Sequence, residues 1–515
     1  MPKINRRDFL KLYGALLAGT ALSSVPRILS PAHSGQIGKP NILIFVFDAM
    51  SARHLSLYGY PRKTTPNLER FAERASVYHK HYSVGNFTTT GTASMLTGLN
   101  PWTHRAFNYR AMIDRALVDR NLFNVVGAEY TRFAFTQNPW ADILLSQFEA
   151  DLDFHLPSDS YSQVVHSLFQ PADLPHDRSI AYYVFQDFMN LRTAEPHPFP
   201  GSLFVGSAEL ARELIASRDI FSEDYPRGLP TVYEFSYENA AVFAGVSHFV
   251  QSDMIRSAPY LGYFHFWSPH GPYRVQKDFI GIFQDDLNWP VKPRHPLADN
   301  DFSHEHMGKD CREYDECVAE VDAEFGRVMS DLEASGILQD SYVIVTSDHG
   351  ELFERGEIGH ASALMYAPVT HIPLLIAAPG QQKRADYRSM TSNLDLLPTL
   401  SKIAGKEIPD WTEGRLLPGF GGTEDSSRSM FPMVAKDNAV FRQIEHATFT
   451  LIKGAYELFF FKGYKDHSDS FELYNLEEDP DELQDLFRTD ITTASQMKDE
   501  LLEAINTANH NYQKK

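Results

Sequence analysis

Two carboxylates and an imidazole follow apolar, strand-like runs that lie far apart in the sequence. Asp48 comes directly after the run 41–47, and Asp348 and His349 come just after the run 342–346. In an open parallel sheet, ligands bind beyond the carboxyl ends of the strands, so we expect these three side chains to project into one crevice. Together they can hold a divalent metal ion. A single aspartate at a strand end is more often a turn or capping residue, and only the combination favours a metal site.

A threonine-rich segment, residues 86–98, supplies a candidate nucleophile and leads into a predicted short helix. The N-terminus of a helix attracts anions through its free N–H groups and its dipole. A hydroxyl beside a metal ion at such a place can be activated by coordination. From the local sequence alone, helix capping by Thr90 or Thr92, with the other threonines facing solvent, is the simpler interpretation, and it remains open.

Strand and helix patterns alternate along most of the chain and predict the scaffold that positions these residues. Continuous apolar runs are typical of strands buried on both faces of a parallel sheet. They occur at 41–47, 132–136, 260–267, 342–346 and 372–377. Helices are predicted from Thr65-Pro66 onward and over 315–334. The alternation predicts an α/β fold around a mostly parallel sheet.

The same patterns predict three regions. Residues 1–34 are expected to be an export signal, and residues 35–420 a catalytic domain with a helical insertion at about 150–250, where strand signals are poor. Residues 421–515 are expected to form a C-terminal α+β subdomain, because short strand patterns there precede a helix from about Ile491.

Composition excludes several classes of protein. The formal net charge is −20 over 515 residues, and so acidic a chain is repelled by phosphate backbones, so we expect no nucleic-acid partner. Cys311 and Cys317 are too few for a multi-cysteine zinc site. They lie six residues apart on a predicted helix and so point to different sides, which predicts free thiols.

The N-terminal segment carries Arg6-Arg7 followed by a weakly apolar stretch, residues 12–25. This stretch is too short to span a bilayer, and the arrangement resembles a twin-arginine export signal. The resemblance implies a periplasmic or extracellular protein that is exported in the folded state. An amphipathic N-terminal helix is the alternative. No other segment is apolar and long enough for a permanent membrane span.

Seven segments, taken in order, resemble landmarks of the sulfatase family within the alkaline-phosphatase-like superfamily. They are residues 41–48, 96–98, 269–273, 346–351, 359–360, 394–400 and 472–480. The resemblance implies a doubly wound α/β core with a small C-terminal sheet. It also implies a single-ion metal-and-nucleophile set, consisting of Asp48, Thr88, Asp348 and His349. His270 and His360 become the expected catalytic and substrate-binding histidines, and Asn138 an expected substrate-binding residue.

The departures from the family pattern bear on the chemistry. Thr88 stands where family members carry the Cys or Ser that is oxidised to formylglycine, and threonine's extra methyl allows only a ketone. Thr90 and Thr92 replace the proline and arginine of that motif. Ala49 replaces a second aspartate, and Asn138 lies where a lysine-containing loop is typical. What remains resembles the sites of phosphoethanolamine and phosphoglycerol transferases, in which a threonine is the nucleophile. Thr89 is the rival nucleophile.

These features support three hypotheses. The first is an exported, metal-dependent hydrolase or transferase that cleaves a phosphate ester or phosphodiester through Thr88. The second is a sulfatase that works without formylglycine, and the third is a catalytically silent relative that binds an anionic glycan or lipid headgroup. The expected substrate is an anionic phosphate or sulfate ester of a lipid headgroup, glycan or small molecule. The ligand set leaves Mn, Mg, Zn and Ca open.

Overall fold

The structure of the protein is a computed structural model, which describes residues 38–108, 111–165, 221, 223–232, 235–252, 259–285, 287 and 289–513. The strands, numbered in chain order, are β1 Asn41–Phe47, β2 Ser76–Tyr82, β3 Thr131–Thr136, β4 Phe154–Leu156, β5 Val164–Val165, β6 Thr231–Val232, β7 Phe235–Ser236, β8 Tyr260–Phe266, β9 Ser341–Thr346, β10 Leu352–Glu354, β11 Glu357–Gly359, β12 Leu374–Ala377, β13 Ala385–Ser392, β14 Ser429–Met430, β15 Met433–Val434, β16 Ala447–Lys453, β17 Tyr456–Lys462 and β18 Ser470–Asn475. The helices are α1 Pro66–Ala72, α2 Thr88–Thr97, α3 Pro101–His104, α4 Leu122–Val126, α5 Pro139–Gln147, α6 Asn239–Val250, α7 His304–Ala334, α8 Ala367–Thr370, α9 Leu396–Ile403 and α10 Ile491–Gln513.

The central element of this part of the chain is a sheet of eight strands in the order β13-β2-β12-β9-β1-β8-β3-β4. Five of its neighbouring pairs run parallel, namely β13–β2, β9–β1, β1–β8, β8–β3 and β3–β4. The predicted α/β class, with its doubly wound and mostly parallel sheet, is therefore confirmed.

Strand β1 explains why the sheet is covered on both faces. Its side chains alternate between two buried clusters: Leu43, Phe45 and Phe47 contribute to one, and Ile42, Ile44 and Val46 to the other. The first cluster includes residues of α1, α6 and α7, and the second includes residues of α2, α4, α5 and α9. A continuous apolar strand is what such burial on two faces requires.

Strand β12 departs from the parallel pattern. It pairs antiparallel with both β9 and β2. The segment between β9 and β12 carries only the hairpin β10–β11 and the short α8, and Leu374 pairs with Thr346, the last residue of β9. Without a crossover helix the chain re-enters the sheet from the edge where β9 ends, so β12 must run in the opposite direction.

The long helix α7 has clear start and stop signals. The Ser303 hydroxyl accepts a hydrogen bond from the His306 backbone N–H at its start. Gly336, with φ +79°, follows its end in the left-handed conformation that glycine adopts without a steric penalty. The helix begins at His304, eleven residues before the predicted start at 315. The prediction relied on an apolar stripe, and residues 304–314 lie outside that stripe.

The C-terminal part forms the small sheet that the sequence predicts. Strands β14, β16, β17 and β18 are neighbours in that order, and β15 also pairs with β16. Helix α10 packs on it through Ala494, Met497, Leu501 and Ile505. The predicted start of this helix, Ile491, is confirmed.

Other predictions have mixed outcomes. The export signal at 1–34 and most of the insertion at 150–250 lie outside the described residues, and the described parts of the insertion include β4–β7 and α6. Cys311 and Cys317 are both buried and free, as predicted. Among the described residues, no helix combines the length and the apolarity that a bilayer crossing needs.

Candidate metal centre and active site

The carboxyl ends of four neighbouring strands bring the predicted site residues together. Asp48 follows β1, Asp348 and His349 follow β9, and Asn138 follows β3. Strand β8, between β1 and β3, leads into the loop that carries His270. The binding edge is therefore the one that general rules for open α/β sheets predict.

Three of these residues form a buried cluster of potential metal ligands. Asp48, Asp348 and His349 each offer a ligand atom within 4.8 Å of the others. His349 Nε2 lies 3.4 Å from Asp48 Oδ1 and 3.5 Å from Asp348 Oδ2. Both carboxylate oxygens are buried and have no regular hydrogen bond to the described residues. Buried charge without a partner is costly, so this donor set fits a divalent cation.

A second cluster of ligand-type residues, His54, Cys311 and Asp315, does not fit a cation in the same way. Its carboxylate is already neutralised, because Asp315 Oδ2 accepts a hydrogen bond from Arg62 Nη1 at 2.7 Å. Its other oxygen, Oδ1, lies 2.8 Å from His54 Nδ1. This network accounts for its own charges within the protein, so Asp48, Asp348 and His349 are the candidate metal site.

Thr88 is the first residue of α2, and its hydroxyl lies at the edge of the cluster. Its Oγ1 lies 3.4 Å from His349 Nε2 and accepts a hydrogen bond of 3.0 Å from Asn138 Nδ2. Because the helix begins at Thr88 and its threonines are all buried, helix capping by Thr90 or Thr92 with solvent-facing neighbours is wrong. The hydroxyl therefore lies at a helix N-terminus and beside the potential ligands.

Asn138 links the hydroxyl to the metal cluster. Its Oδ1 caps α5 by accepting a hydrogen bond from the Trp140 backbone N–H at 2.8 Å. This cap fixes the orientation of the amide, so Nδ2 points into the site and donates to both Asp48 Oδ2 and Thr88 Oγ1. Asn138 therefore holds Asp48 and Thr88 in place, and its role in substrate binding stays a prediction.

The two remaining predicted histidines lie next to His349. The His360 ring centroid is 4.2 Å from that of His349 and 4.9 Å from that of His270. His360 Nδ1 lies 2.8 Å from Glu351 Oε1, and His270 Nδ1 lies 2.7 Å from the Gly271 carbonyl oxygen. Since each Nδ1 faces an acceptor, both rings carry the proton there in the neutral form and leave Nε2 for other contacts.

Burial and neighbouring charges set the protonation of these groups. Burial and the nearby His349 imidazole lower the pKa of His360 to about 3. Burial also lowers the pKa of His349, but Asp348 and Asp48 outweigh it and raise that pKa to about 9. Burial raises the pKa of Asp48, yet the surrounding imidazoles, with His270 first, hold it well below its usual range. A metal ion would compete with the proton on His349.

The sequence analysis missed two residues of the site. His265, inside the apolar strand β8, is completely buried, with Nε2 3.6 Å from Asp348 Oδ2. The only indication in the sequence was a histidine within an apolar strand, near the end of that strand that faces the site. Glu351 contacts His360 and directly follows the segment Asp348-His349-Gly350. Its position next to two predicted site residues in the sequence was the indication that it belongs to the site.

Two family models match the chain. The model described as Sulfatase matches residues 40–147 and 220–406, which is more than half of the chain. The model described as N-sulphoglucosamine sulphohydrolase, C-terminal, matches residues 356–509 and so includes the C-terminal sheet. Both matches agree with the fold and with the position of the candidate site.

Individual proteins of known sequence or structure are similar at low identity. The choline-sulfatase of Rhizobium meliloti (strain 1021) is 23% identical over 412 residues, which are 75% of this chain and 72% of that protein. The phosphonate monoester hydrolase of Agrobacterium radiobacter is 18% identical, with a TM-score of 0.64 over 91% of this chain and 96% of that one. A protein solved with its substrate D-glucosamine-2-N,6-O-disulfate is 17% identical, with a TM-score of 0.63 over 92% and 98%. The likeness to these two structures concerns the fold.

Proposed function

This chain belongs to the sulfatase family of ester hydrolases, and we propose that it is an exported, metal-dependent hydrolase or transferase that cleaves a phosphate ester or phosphodiester through Thr88. One observation carries this proposal. The residue at position 88 is a threonine, and its hydroxyl lies 3.4 Å from His349, at the edge of a buried cluster in which two carboxylate oxygens have no hydrogen-bond partner among the described residues.

The donor set fits a single divalent cation. Asp48, Asp348 and His349 would hold it, with the Thr88 hydroxyl as a further oxygen ligand. Such an ion supplies Lewis acidity, which polarises the ester and lowers the pKa of a coordinated hydroxyl. Manganese, magnesium, zinc and calcium all remain candidates on these oxygen-rich ligands.

Thr88 acts as the nucleophile in the proposed reaction. Its oxygen forms a bond to phosphorus while the bond to the departing alcohol oxygen breaks, which leaves a phosphothreonine. The Asn138 amide donates to this oxygen and so favours its anionic form before attack. Water, or an acceptor alcohol, then attacks the phosphothreonine and restores the Thr88 hydroxyl.

His270 and His360 stabilise charge on the transferred group or pass the proton released by Thr88 to the departing oxygen. Each holds its Nδ1 against a fixed acceptor, which leaves its Nε2 for this contact. The pKa of His360, lowered to about 3, keeps its ring neutral near pH 7.

We favour a phosphate ester over a sulfate ester as the substrate because of the side chain at position 88. A sulfatase that uses formylglycine expels sulfate from a hydrated aldehyde, and a threonine cannot form that aldehyde. A phosphothreonine needs no such route, since water can attack at phosphorus and release the intact side chain. The preference therefore follows from the secondary alcohol of Thr88.

The second candidate function is sulfate ester hydrolysis by unmodified Thr88 or by water. The observation that favours it is the match of the C-terminal part to the model for N-sulphoglucosamine sulphohydrolase. Choline-sulfatase, at 23% identity, points the same way. Under this candidate, phosphate esters would be minor substrates.

Turnover of matched aryl phosphate monoesters, aryl phosphodiesters and aryl sulfates tests the proposal. We expect the phosphorus esters to turn over with a higher kcat/KM, and the Thr88→Ala variant to lose roughly 10³-fold or more in kcat. Thr89→Ala is the matched control, because the neighbouring threonine is also buried but is not the proposed nucleophile. Faster turnover of the sulfate esters would favour the second candidate, and full turnover by Thr88→Ala would overturn the nucleophile. Turnover of none of these esters, in a protein that still binds them, would instead support the catalytically silent relative.

A further inference from the structure

His265 is a completely buried imidazole with one nitrogen unpaired. It lies on β8, and its Nε2 has no hydrogen-bond partner among the described residues. That nitrogen lies 3.6 Å from Asp348 Oδ2 and 3.8 Å from Asp48 Oδ2. These separations are too long for hydrogen bonds, so His265 faces two carboxylates without bonding to either.

Metal–nitrogen and metal–oxygen bonds of about 2.0–2.2 Å put neighbouring ligand atoms of a tetrahedral site roughly 3.3–3.6 Å apart. The separation of His265 Nε2 from Asp348 Oδ2, 3.6 Å, lies in this range, and its separation from Asp48 Oδ2, 3.8 Å, is slightly longer. His349 Nε2 lies 3.5 Å from the same Asp348 oxygen, Oδ2, and 3.4 Å from the other oxygen of Asp48, Oδ1. The two imidazoles therefore share Asp348 Oδ2 and face different oxygens of Asp48, of which Oδ2 also accepts a hydrogen bond from Asn138.

The other nitrogen of His265 is held by a neighbouring phenol. Tyr263, two residues earlier on the same strand, places its hydroxyl 3.1 Å from His265 Nδ1. When Nδ1–H donates to this oxygen, the Nε2 lone pair is free to bind a metal ion. A hydrogen bond on the far nitrogen is the usual way in which a protein orients a metal-binding histidine.

We propose that His265 is a ligand of the metal ion, in addition to Asp48, Asp348 and His349. The inference rests on the metal site of the proposed function and extends its ligand set to two carboxylates and two imidazoles. Imidazole nitrogen suits zinc and related transition metals, whereas calcium and magnesium prefer oxygen ligands throughout. This ligand set would favour zinc over magnesium, calcium or manganese.

Metal affinity without substrate tests this inference. Zinc binding to native protein, His265→Gln and His349→Gln is measured by competition with a chromophoric chelator. We expect native protein to bind one equivalent of zinc, and the zinc affinity of both variants to be lower by more than about 100-fold. Loss of a residue that only hydrogen-bonds to a metal ligand typically lowers the affinity by about 10- to 100-fold. His104→Gln is the matched control, since His104 is equally buried and bonds to Ser94 away from the site.

X-ray absorption at the zinc edge supplies a second readout, which does not depend on affinity or on activity. We expect two imidazole ligands in native protein loaded with one equivalent, and one in His265→Gln. An unchanged imidazole count and an affinity within tenfold of native would overturn the role of His265 while leaving the proposed function intact. Failure of native protein to bind zinc, manganese, magnesium or calcium would overturn both.

Discussion

At position 88, one methyl group decides which reaction routes are open to the site. Threonine is a secondary alcohol, so oxidation cannot turn it into the aldehyde on which formylglycine chemistry depends. Its Oγ1 still accepts a hydrogen bond from Asn138 and lies beside His349, so the position keeps the contacts of a nucleophile. The proposed chemistry is therefore direct transfer to the hydroxyl oxygen.

Glu320 is a buried carboxyl whose pKa gives a testable dependence of stability on pH. Burial raises that pKa from 4.5 to about 7, although the Gln276 N–H and the Asn239 amide donate to it. The folded state therefore binds the proton more tightly than the unfolded state does. Stability from this group is fully present below about pH 4.5 and declines as pH rises toward and through 7.

We expect Glu320→Gln to unfold at higher urea concentration than native protein at pH 8, by roughly 1–3 kcal/mol. The difference should shrink as the pH is lowered from 7 to 4.5, because native Glu320 then becomes neutral as well. Urea unfolding at several pH values measures it. The control is Glu305→Gln, an exposed position on the same helix. A difference that grows toward low pH would contradict the assignment.

The side chains that the sequence could identify are those at strand ends. Asp48, Asp348 and His349 follow recognisable apolar runs, so the rule for parallel sheets was enough to bring them together. His265 could not be found in this way, because a histidine inside an apolar strand looks like a core residue. Its role depends on the register of β8 against β1, which pairs it with Val46, and no local pattern encodes that register.

At the scale of elements, the close approach of α2 to the end of β9 positions Thr88, the proposed nucleophile. Gly91 allows this approach, because a Cβ atom there would lie 2.2 Å from the Asp348 carbonyl oxygen. The same carbonyl accepts a hydrogen bond from the Ser83 hydroxyl at 2.6 Å. The helix that starts with Thr88 is thus packed directly against the segment that carries two proposed metal ligands, Asp348 and His349.

Gly91→Ala should separate these two elements. We expect it to lower the free energy of unfolding by about 1–3 kcal/mol, the cost typical of overpacking, and to reduce metal affinity. Gly308→Ala, within α7, is the control: its new methyl group meets nothing closer than 3.9 Å, so a stabilisation of about 0.5–1 kcal/mol is expected. Urea unfolding and metal titration measure both. Native-like stability and affinity in Gly91→Ala would show that the packing of α2 is looser than described.

Five of the eight strands of the central sheet were predictable because they are continuous apolar runs, as burial on both faces requires. The runs 41–47 and 342–346 match β1 and β9 to within one residue. The direction of β12 was not predictable, since an apolar strand looks the same whichever way it runs. Only the connection through β10–β11 and α8, which lacks a crossover helix, makes it antiparallel.

At the scale of the whole molecule, the proposed export through the twin-arginine route would determine where the proposed metal site is assembled. That route carries folded proteins, so the ion would bind before export, when the ligands from β1, β8 and β9 have already met. The proposal rests on Arg6-Arg7 and the weakly apolar stretch that follows them. It concerns residues outside the described part of the chain.

We expect the full chain to accumulate outside the cytoplasm, and a variant with Arg6→Lys and Arg7→Lys to remain inside. Fractionation of cells of a bacterium that has the twin-arginine system measures this. The control carries Lys3→Arg and Lys11→Arg, which keep the charge and leave the arginine pair intact. Equal export of the two variants would argue against the twin-arginine route.

The central claim, that Thr88 receives the transferred group, is tested most directly by trapping the covalent enzyme. Protein that is turning over an aryl phosphate ester is quenched in acid, digested and analysed by mass spectrometry. The account predicts one phosphoryl group on the peptide that contains residues 86–98, located at Thr88 by fragmentation and absent from Thr88→Ala. Phosphorylation at another residue, or rapid turnover by Thr88→Ala with no phosphorylated peptide, would contradict it.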